Sequence, residues 1–488
     1  MTGLRKSVLT VLFLSLAVPA AALAGPERSD DLAARLDRIF AEAYPATGPG
    51  AAVIVVQDGK PILRKGYGLA NVELAVPIAP EMVFRIGSVT KQFTAGAILK
   101  LVEAGKVSLS DEIGRFLPDF PTRGKKMTVE QLLTHTSGIK SVTGMPSWSP
   151  RMREDWTPAQ IIAFFQNEPL DFEPGTKWKY NNSGYHLLGA IIEKVSGKKY
   201  EDFVAEAIFR PLGMERTRYG SDAPIIPGRV EGYQRTPGGL INAPYISMTQ
   251  PYSAGALVST VDDLTRWQAA LDRDGFLSAE SRRRMWTPVT LPDGTATRYG
   301  FGWGIWKYEG HAVVEHGGAI NGFVTANMRL PDDRIYVAVL SNASGPGRDP
   351  RMLALQAASL VAGIPADDRK AVTLAPAALE RYAGVYKDND GDNWIVRRKG
   401  DHLEVEAGPS SSEVFASASS VDSFFYRDHV RDLRFEKTPT GEVTALLIDE
   451  HIGPIERAVR VKEPLPEKAV SPRSRESSSD PRGSLAGC

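Results

Sequence analysis

The stretch Phe84-Arg85-Ile86-Gly87-Ser88-Val89-Thr90-Lys91-Gln92-Phe93-Thr94 sets a serine and a lysine three residues apart where a helical pattern begins. Phe93, Ala97 and Leu101 follow at spacing four until Gly105 ends the run, so Ser88 opens the helix just after Gly87. Side chains three apart share a helix face. A serine hydroxyl is a poor nucleophile until a neighbouring base takes its proton, and a lysine on that face can be the base. Lys91 also breaks a local rule, since a cation in the first turn opposes the positive end of the helix dipole at about 0.3–1 kcal/mol. Violations of this kind gather at functional sites. The positive field and partial burial push the amine toward its neutral form, below its ordinary pKa of about 10.4. An N-capping serine beside a solvated lysine is the competing reading of the same residues.

The pattern Ser-x-x-Lys recurs at Ser137 to Lys140 and at Ser196 to Lys199. Both of those serines precede a glycine at the exit of a helical run, where no free backbone N–H groups point. Working outward, Tyr180-Asn181-Asn182 lies between the Pro174-Gly175 turn and a helical run in which Leu188, Ile191, Ile192 and Val195 are spaced i, i+3, i+4, i+7. A phenol there can relay a proton and an amide can hold a lysine or a substrate carbonyl. Equally, Asn182 suits an N-cap and Tyr180 half-buried packing. His316-Gly317-Gly318 follows the apolar run Ala312 to Val314 and precedes Ala319. Its glycines allow another backbone, such as an extended substrate added as an extra strand, to come close. The N–H groups of Ala319 and Ser88 then suit an oxyanion hole. A glycine-rich turn beside a surface histidine is the alternative.

Strand patterns at Ala51 to Gln57 and Ile62 to Gly68, joined at Asp58-Gly59, read as a hairpin. Others return at Gly302 to Trp306, Ala312 to Glu315, Gly322 to Leu330 and Ile335 to Leu340, with a helical run from Arg351 to Val361. Strands at both ends of a segment with helices between imply an α+β fold: one sheet assembled from distant parts, flanked by helices, with a helical lobe. After Gly363-Ile364-Pro365 the texture changes to short strands punctuated by Gly400 and Gly441, a separate small all-β, barrel-like unit. The run Asp388 to Asp392 reads as a turn, because its glycine sits at the wrong place for a calcium loop.

The chain has 488 residues, with 58 Lys+Arg against 58 Asp+Glu, a balance that argues against a broad basic face for nucleic acid or an anionic membrane. Arg5 and Lys6, the apolar run Val8 to Val18, and Ala22-Leu23-Ala24 have the layout of a secretory leader over 1–24. The expectation is an exported, periplasmic protein with no membrane span. Cys488 is the only cysteine, so no disulfide framework exists. The reading divides the chain into the leader, a hydrolase unit at 30–365, the β unit at 374–463, and a disordered tail at 464–488 rich in Ser, Pro, Arg and Glu.

Three motifs in this order, near the start, middle and end of one segment, together with Leu132-Leu133-Thr134-His135-Thr136-Ser137-Gly138, resemble the family of class C β-lactamases, D-alanyl-D-alanine carboxypeptidases and related esterases. The resemblance covers about residues 30 to 365 and implies a cleft between sheet and helical lobe. It implies Ser88 as nucleophile, Lys91 and Tyr180 as the proton-handling pair, Asn182 as a positioning amide, His316 to Gly318 as the third motif and Ala319 as second oxyanion donor. Which of Lys91 and Tyr180 is the base stays open. The β unit resembles lipocalin-like appendages of the family. In the β-lactamases the third motif is typically Lys-Thr-Gly; here a histidine, mostly neutral near pH 7, and a glycine replace the cation and the hydroxyl that recognise a carboxylate. The resemblance therefore implies an acyl-enzyme serine hydrolase acting on small or peptide amides and esters, a D-amino-acid peptidase, carboxypeptidase or esterase. A true β-lactamase and a penicillin-binding sensor without turnover are the alternatives. No Gly-x-Ser-x-Gly or His-Glu-x-x-His is present, so neither an α/β-hydrolase nor a metal or other cofactor is expected.

Overall fold

The computed structural model describes residues 26–365, 371–389, 391–407, 410–417, 420–426 and 430–466; the expected leader, and the expected tail beyond residue 466, lie outside them. Helix α1 (Pro26–Ala43) leads into strands β1 (Ala51–Gln57) and β2 (Lys60–Tyr67), which turn at Asp58-Gly59 with φ of 52° and 75°. Helices α2 (Thr90–Glu103) and α3 (Asn182–Ser196) build the lobe, and strands β3 (Gly304–Tyr308), β4 (His311–Ile320), β5 (Phe323–Leu330) and β6 (Ile335–Ser341) with helix α4 (Pro350–Ala362) complete the unit. The six strands form one antiparallel sheet in the order β3-β4-β5-β6-β1-β2, so the first hairpin pairs with the last strand from Ala51↔Ser341 to Gln57↔Ile335.

The period-2 pattern of β1 explains the layering. Ala52, Ile54 and Val56 pack into the core shared with α2, which contributes Phe93, Ala97 and Leu101. Ala51, Val53 and Val55 face the other way, against Leu36 and Phe40 of α1 and Leu353, Ala354 and Ala357 of α4. Both faces of the sheet are therefore dry, and each fully buried Val, Ile or Leu contributes roughly 1.5–3 kcal/mol of burial free energy. α4 is held by Asp349, whose side chain accepts from Arg351 N, and by Gly363 in the left-handed cap.

The second unit is a closed eight-stranded barrel of β7 (Gly384–Lys387), β8 (Asn393–Lys399), β9 (His402–Ala407), β10 (Ser410–Ser417), β11 (Ser420–Tyr426), β12 (Asp432–Lys437), β13 (Val443–Asp449) and β14 (Glu456–Val461). Each strand pairs with the next, and β7 pairs with β14 to close it. Strands β7, β10 and β14 carry no clear alternating apolar signal; β14 reads Glu-Arg-Ala-Val-Arg-Val and buries only Ala458. Tyr382, Tyr386, Trp394, Leu403, Phe424 and Phe435 fill the interior as a packed cluster. Asp388 and Asp392 hydrogen-bond across the turn between β7 and β8. No helix among the described residues is long and apolar enough to cross a membrane.

Candidate active site

Every side chain of α2 from Thr90 to Leu99 is buried, as befits a helix running through the centre of a domain. Ahead of it stands a single 3-10 turn, Gly87–Val89, in which Gly87 takes a φ of 49° that L side chains avoid. A Cβ there would lie 2.9 Å from Ala319 N, and a Cβ at Gly318 would overlap the Ile86 carbonyl and stand 3.3 Å from Ser88 N. The two glycines let the Ser88 turn and β4 touch backbone to backbone, which brings the N–H groups of Ser88 and Ala319 into one corner. Among the described residues β3 pairs with β4 only as far as Glu315, which leaves the edge from His316 onward without a strand on that side, and the glycines also admit the chain's own Ser88 turn.

Lys91 is fully buried, with Nζ 3.1 Å from Ser88 Oγ, 2.8 Å from Asn182 Oδ1 and 2.9 Å from the Ala254 carbonyl. Asn182 Nδ2 donates to Thr143 Oγ1 at 2.9 Å, which turns its carbonyl oxygen toward the amine. Burial drives the Lys91 pKa well below the ordinary lysine value. A neutral amine has two N–H groups and one lone pair. The two carbonyl oxygens, which only accept, take the N–H groups, and the lone pair is left for the Ser88 hydroxyl. Asn182 is free for this because Asn181 caps α3 instead, its side chain accepting from Gly184 N.

Tyr180 is held beside the same pair, its ring 4.8 Å from Lys91 Nζ. Its hydroxyl is buried without a well-formed hydrogen bond, and burial raises its pKa while the nearby Ser88 hydroxyl offsets part of the rise. The Tyr180 ring packs 4.4 Å from the imidazole of His135. His135 adopts a φ of 61°, and its Nδ1 accepts the Asn181 N–H at 3.2 Å. His316 Nδ1 sits 2.6 Å from the Gly317 carbonyl and Nε2 2.8 Å from the Tyr299 hydroxyl. Because a carbonyl can only accept, Nδ1 carries the proton and Tyr299 donates to Nε2. Burial, with a smaller push from Lys91, lowers the His316 pKa to about 3, so the third motif brings a neutral ring. At Gly317 a side chain would meet the Arg351 stem at 3.1 Å, and Arg351 itself is paired with buried Glu315 at 2.9 Å.

One cavity of about 1080 Å³ is lined by Ser88, Tyr180, Asn182, His316, Gly317 and Gly318, with Ala319 beside them. All the motif residues expected from sequence face it except Lys91, which lies beneath Ser88. The other two Ser-x-x-Lys pairs do not enter it: Lys140 pairs with Asp171, and Ser196 caps a turn to Lys198. The loops 141–155 and 219–252 contribute only Arg235 to its lining, and segments 171–179, 291–295, 343–351 and 448–456 supply more. Tyr299 and the Ala254 carbonyl are not marked by the sequence motifs, and His135 stands in the Leu132 to Gly138 stretch without a role read for it. For Tyr299 the signal available was the Tyr-Gly-Phe-Gly-Trp-Gly run at 299–304, an aromatic alternation of which only the end, from Gly302, reads as a strand. Among the described residues no three His, Cys, Asp or Glu side chains are grouped to hold a metal ion.

The chain matches the family described as Beta-lactamase over residues 36–362, and a domain of unknown function over residues 368–463. It is 30% identical to a penicillin-binding protein of Bacillus subtilis (strain 168) over 438 residues, which span 84% of this chain and 94% of that one. A D-aminopeptidase of Gluconobacter oxydans (strain 621H) is 29% identical over 400 residues, 79% of this chain and 70% of that one. Among solved structures, the octameric penicillin-binding protein homologue from Pyrococcus abyssi is similar with a TM-score of 0.62 at 28% identity, covering 88% of this chain and 99% of that chain.

Proposed function

Because the chain belongs to the β-lactamase family of serine hydrolases, we propose that Ser88 is its nucleophile and that it cleaves small amides or esters of D-amino acids through an acyl-enzyme. The observation that carries this is the buried Lys91 amine, 3.1 Å from Ser88 Oγ with both its N–H groups taken by carbonyl oxygens. Lys91 accepts the serine proton as Oγ attacks the substrate carbonyl. Tyr180, whose pKa is raised, stays protonated and hands its proton to the leaving group, recovering one from Lys91. The N–H groups of Ser88 and Ala319 hold the oxyanion, and water then releases the acyl group.

Substrate class follows from the third motif. A neutral His316 and a side-chain-free Gly317 offer no cation or hydroxyl to a substrate carboxylate, which favours a peptidase, amidase or esterase over an efficient β-lactamase. A relative named D-aminopeptidase points the same way. Fluorophosphonate labelling read by mass spectrometry tests the nucleophile, with Ser88 expected to carry the adduct. Hydrolysis of D-alanyl amides and p-nitrophenyl esters, lost in Ser88→Ala, tests turnover. Labelling without turnover would make the protein a sensor, and rapid nitrocefin hydrolysis would make it a β-lactamase. The leader-like residues 1–24 support export to a periplasm, checked by sequencing the secreted protein for a start at Gly25.

A further inference from the structure

The cavity that holds Ser88 is lined from two units. Besides the motif residues it is bounded by Ile448 near the end of β13 and by Glu450, Ile452, Pro454 and Ile455 of the turn joining β13 and β14 of the barrel. This turn is anchored by two close approaches that glycines make possible. Ile452 rests on Gly304 at the start of β3, where a Cβ would lie 2.6 Å from Ile452 Cγ1. Gly453, with a φ of 78°, lies so close to the Trp178 indole that any side chain would overlap the ring. His451 stacks on Trp306, with ring centroids 4.4 Å apart and planes 16° from parallel. Arg298 Nε donates to the Gly453 carbonyl at 2.8 Å, and its guanidinium lies 2.9 Å from Asp449.

The anchor points are next to site residues. Trp178 is two residues before Tyr180, Arg298 immediately precedes the Tyr299 that donates to His316, and Trp306 Nε1 donates to Glu315, the neighbour of His316. The turn thus spans from the segment carrying Tyr180 to the strand pair carrying His316, and Ile455 remains 48% exposed at the cavity edge. An apolar side chain left open on a cavity wall is a contact surface for apolar substrate atoms.

We propose that the barrel turn Glu450–Ile455 is a wall of the substrate site that sets its size limit, so that short acyl or aminoacyl amides and esters reach Ser88 and bulky or cross-linked ones do not. This rests on Ser88 being the nucleophile. The barrel then acts as a specificity element of the hydrolase, through Ile452 and Ile455.

The test compares two phosphorylating probes with the same leaving group and different bulk, diethyl and dibenzyl fluorophosphate, on the full chain. Three proteins are used: wild type, a variant in which Glu450–Ile455 is replaced by the tight turn Asn-Gly, and the point variant Ile455→Gly. The expected result is that the ratio of the dibenzyl to the diethyl rate constant on Ser88 rises roughly tenfold or more in the shortened turn, with a smaller rise in Ile455→Gly. An unchanged ratio of the two rates in the variants would overturn the proposal. If the shortened turn does not fold, as read by its melting transition, the ratio in Ile455→Gly decides. Failure of the diethyl probe to label Ser88 in wild type would instead sink the nucleophile assignment, a separate outcome.

Discussion

Around Ser88 the chain encloses an amine, two imidazoles and a phenol that other proteins would keep wet or paired. The Tyr180 hydroxyl and His135 Nε2 are buried without hydrogen-bond partners, and Lys91 has no carboxylate against it. Inside the barrel, enclosed phenols are treated differently. The Tyr386 hydroxyl donates to the Tyr382 carbonyl at 2.7 Å, and the Tyr382 hydroxyl donates to Asp422 at 2.6 Å. A buried polar atom without a partner costs about 1–3 kcal/mol, so a fold keeps one where the group has other work. These two barrel phenols are paired, whereas polar atoms beside Ser88 are left open.

The comparison breaks most visibly at Lys91. Replacement Lys91→Met keeps the volume and removes the base, and acylation of Ser88 is expected to slow by roughly 10²- to 10⁴-fold. Stopped labelling with a small fluorophosphate, resolved by mass, measures it. The same variant carries a stability signature. Burial sets the folded pKa of Lys91 below the 10.5 it has when unfolded. Between those values the unfolded chain holds the extra proton, so wild-type stability rises with pH there. In Lys91→Met that rise should flatten, and an unchanged slope would mean the amine is charged in the fold.

A barrel substitution should do the reverse. Phe435 is buried against Tyr382, Tyr386 and Phe424. Phe435→Ala is expected to remove about 3–5 kcal/mol from the barrel, read by urea unfolding, while the diethyl probe labels Ser88 of the folded protein at nearly the wild-type rate. A large loss of labelling would show that barrel packing, beyond its one turn, supports the site.

How far the sequence could be read follows the same division. The α+β hydrolase unit was legible because β1 and β6 are nearly uninterrupted apolar runs buried on both faces of a sheet, so that composition and burial coincide. Ser88 with Lys91, and the His316 segment, were legible because their residues are improbable for the local structure, whereas Tyr180 and Asn182 were legible only through the order of the three motifs. The lysine in a first helical turn is one case, and the two glycines after His316 are another. The partners that hold them were not legible. Tyr299, His135 and the Ala254 carbonyl act through contacts between segments far apart in the chain, and no local period marks such a contact. The barrel turn was hidden for the same reason, since Gly304 and Gly453 look like ordinary turn glycines until they are seen against Ile452 and Trp178.

The contrast is sharpened last by pH. Burial lowers the pKa of His316 to about 3 and of His186 to about 4, against 6.5 for an unhindered imidazole. The unfolded chain takes up protons at these positions as pH falls below 6.5, and the folded chain does not until the depressed values are reached. Stability contributed by keeping these rings neutral is therefore present above pH 6.5 and is lost progressively toward pH 3, by roughly 1.4 kcal/mol per pH unit for each group. Both rings, with His135, sit in the hydrolase unit, so acid should loosen that unit ahead of the barrel. Hydrogen exchange followed from pH 7 to pH 4 is expected to show amides of α3 and β4 opening while β12 and β13 stay protected. His316→Gln, which cannot take up the proton, should shrink the acid dependence by about one group's share. If the barrel strands open first, or if His316→Gln leaves the acid slope as it was, the neutral ring is not the source of the acid lability, and the argument that the third motif offers no cation to a substrate loses its footing.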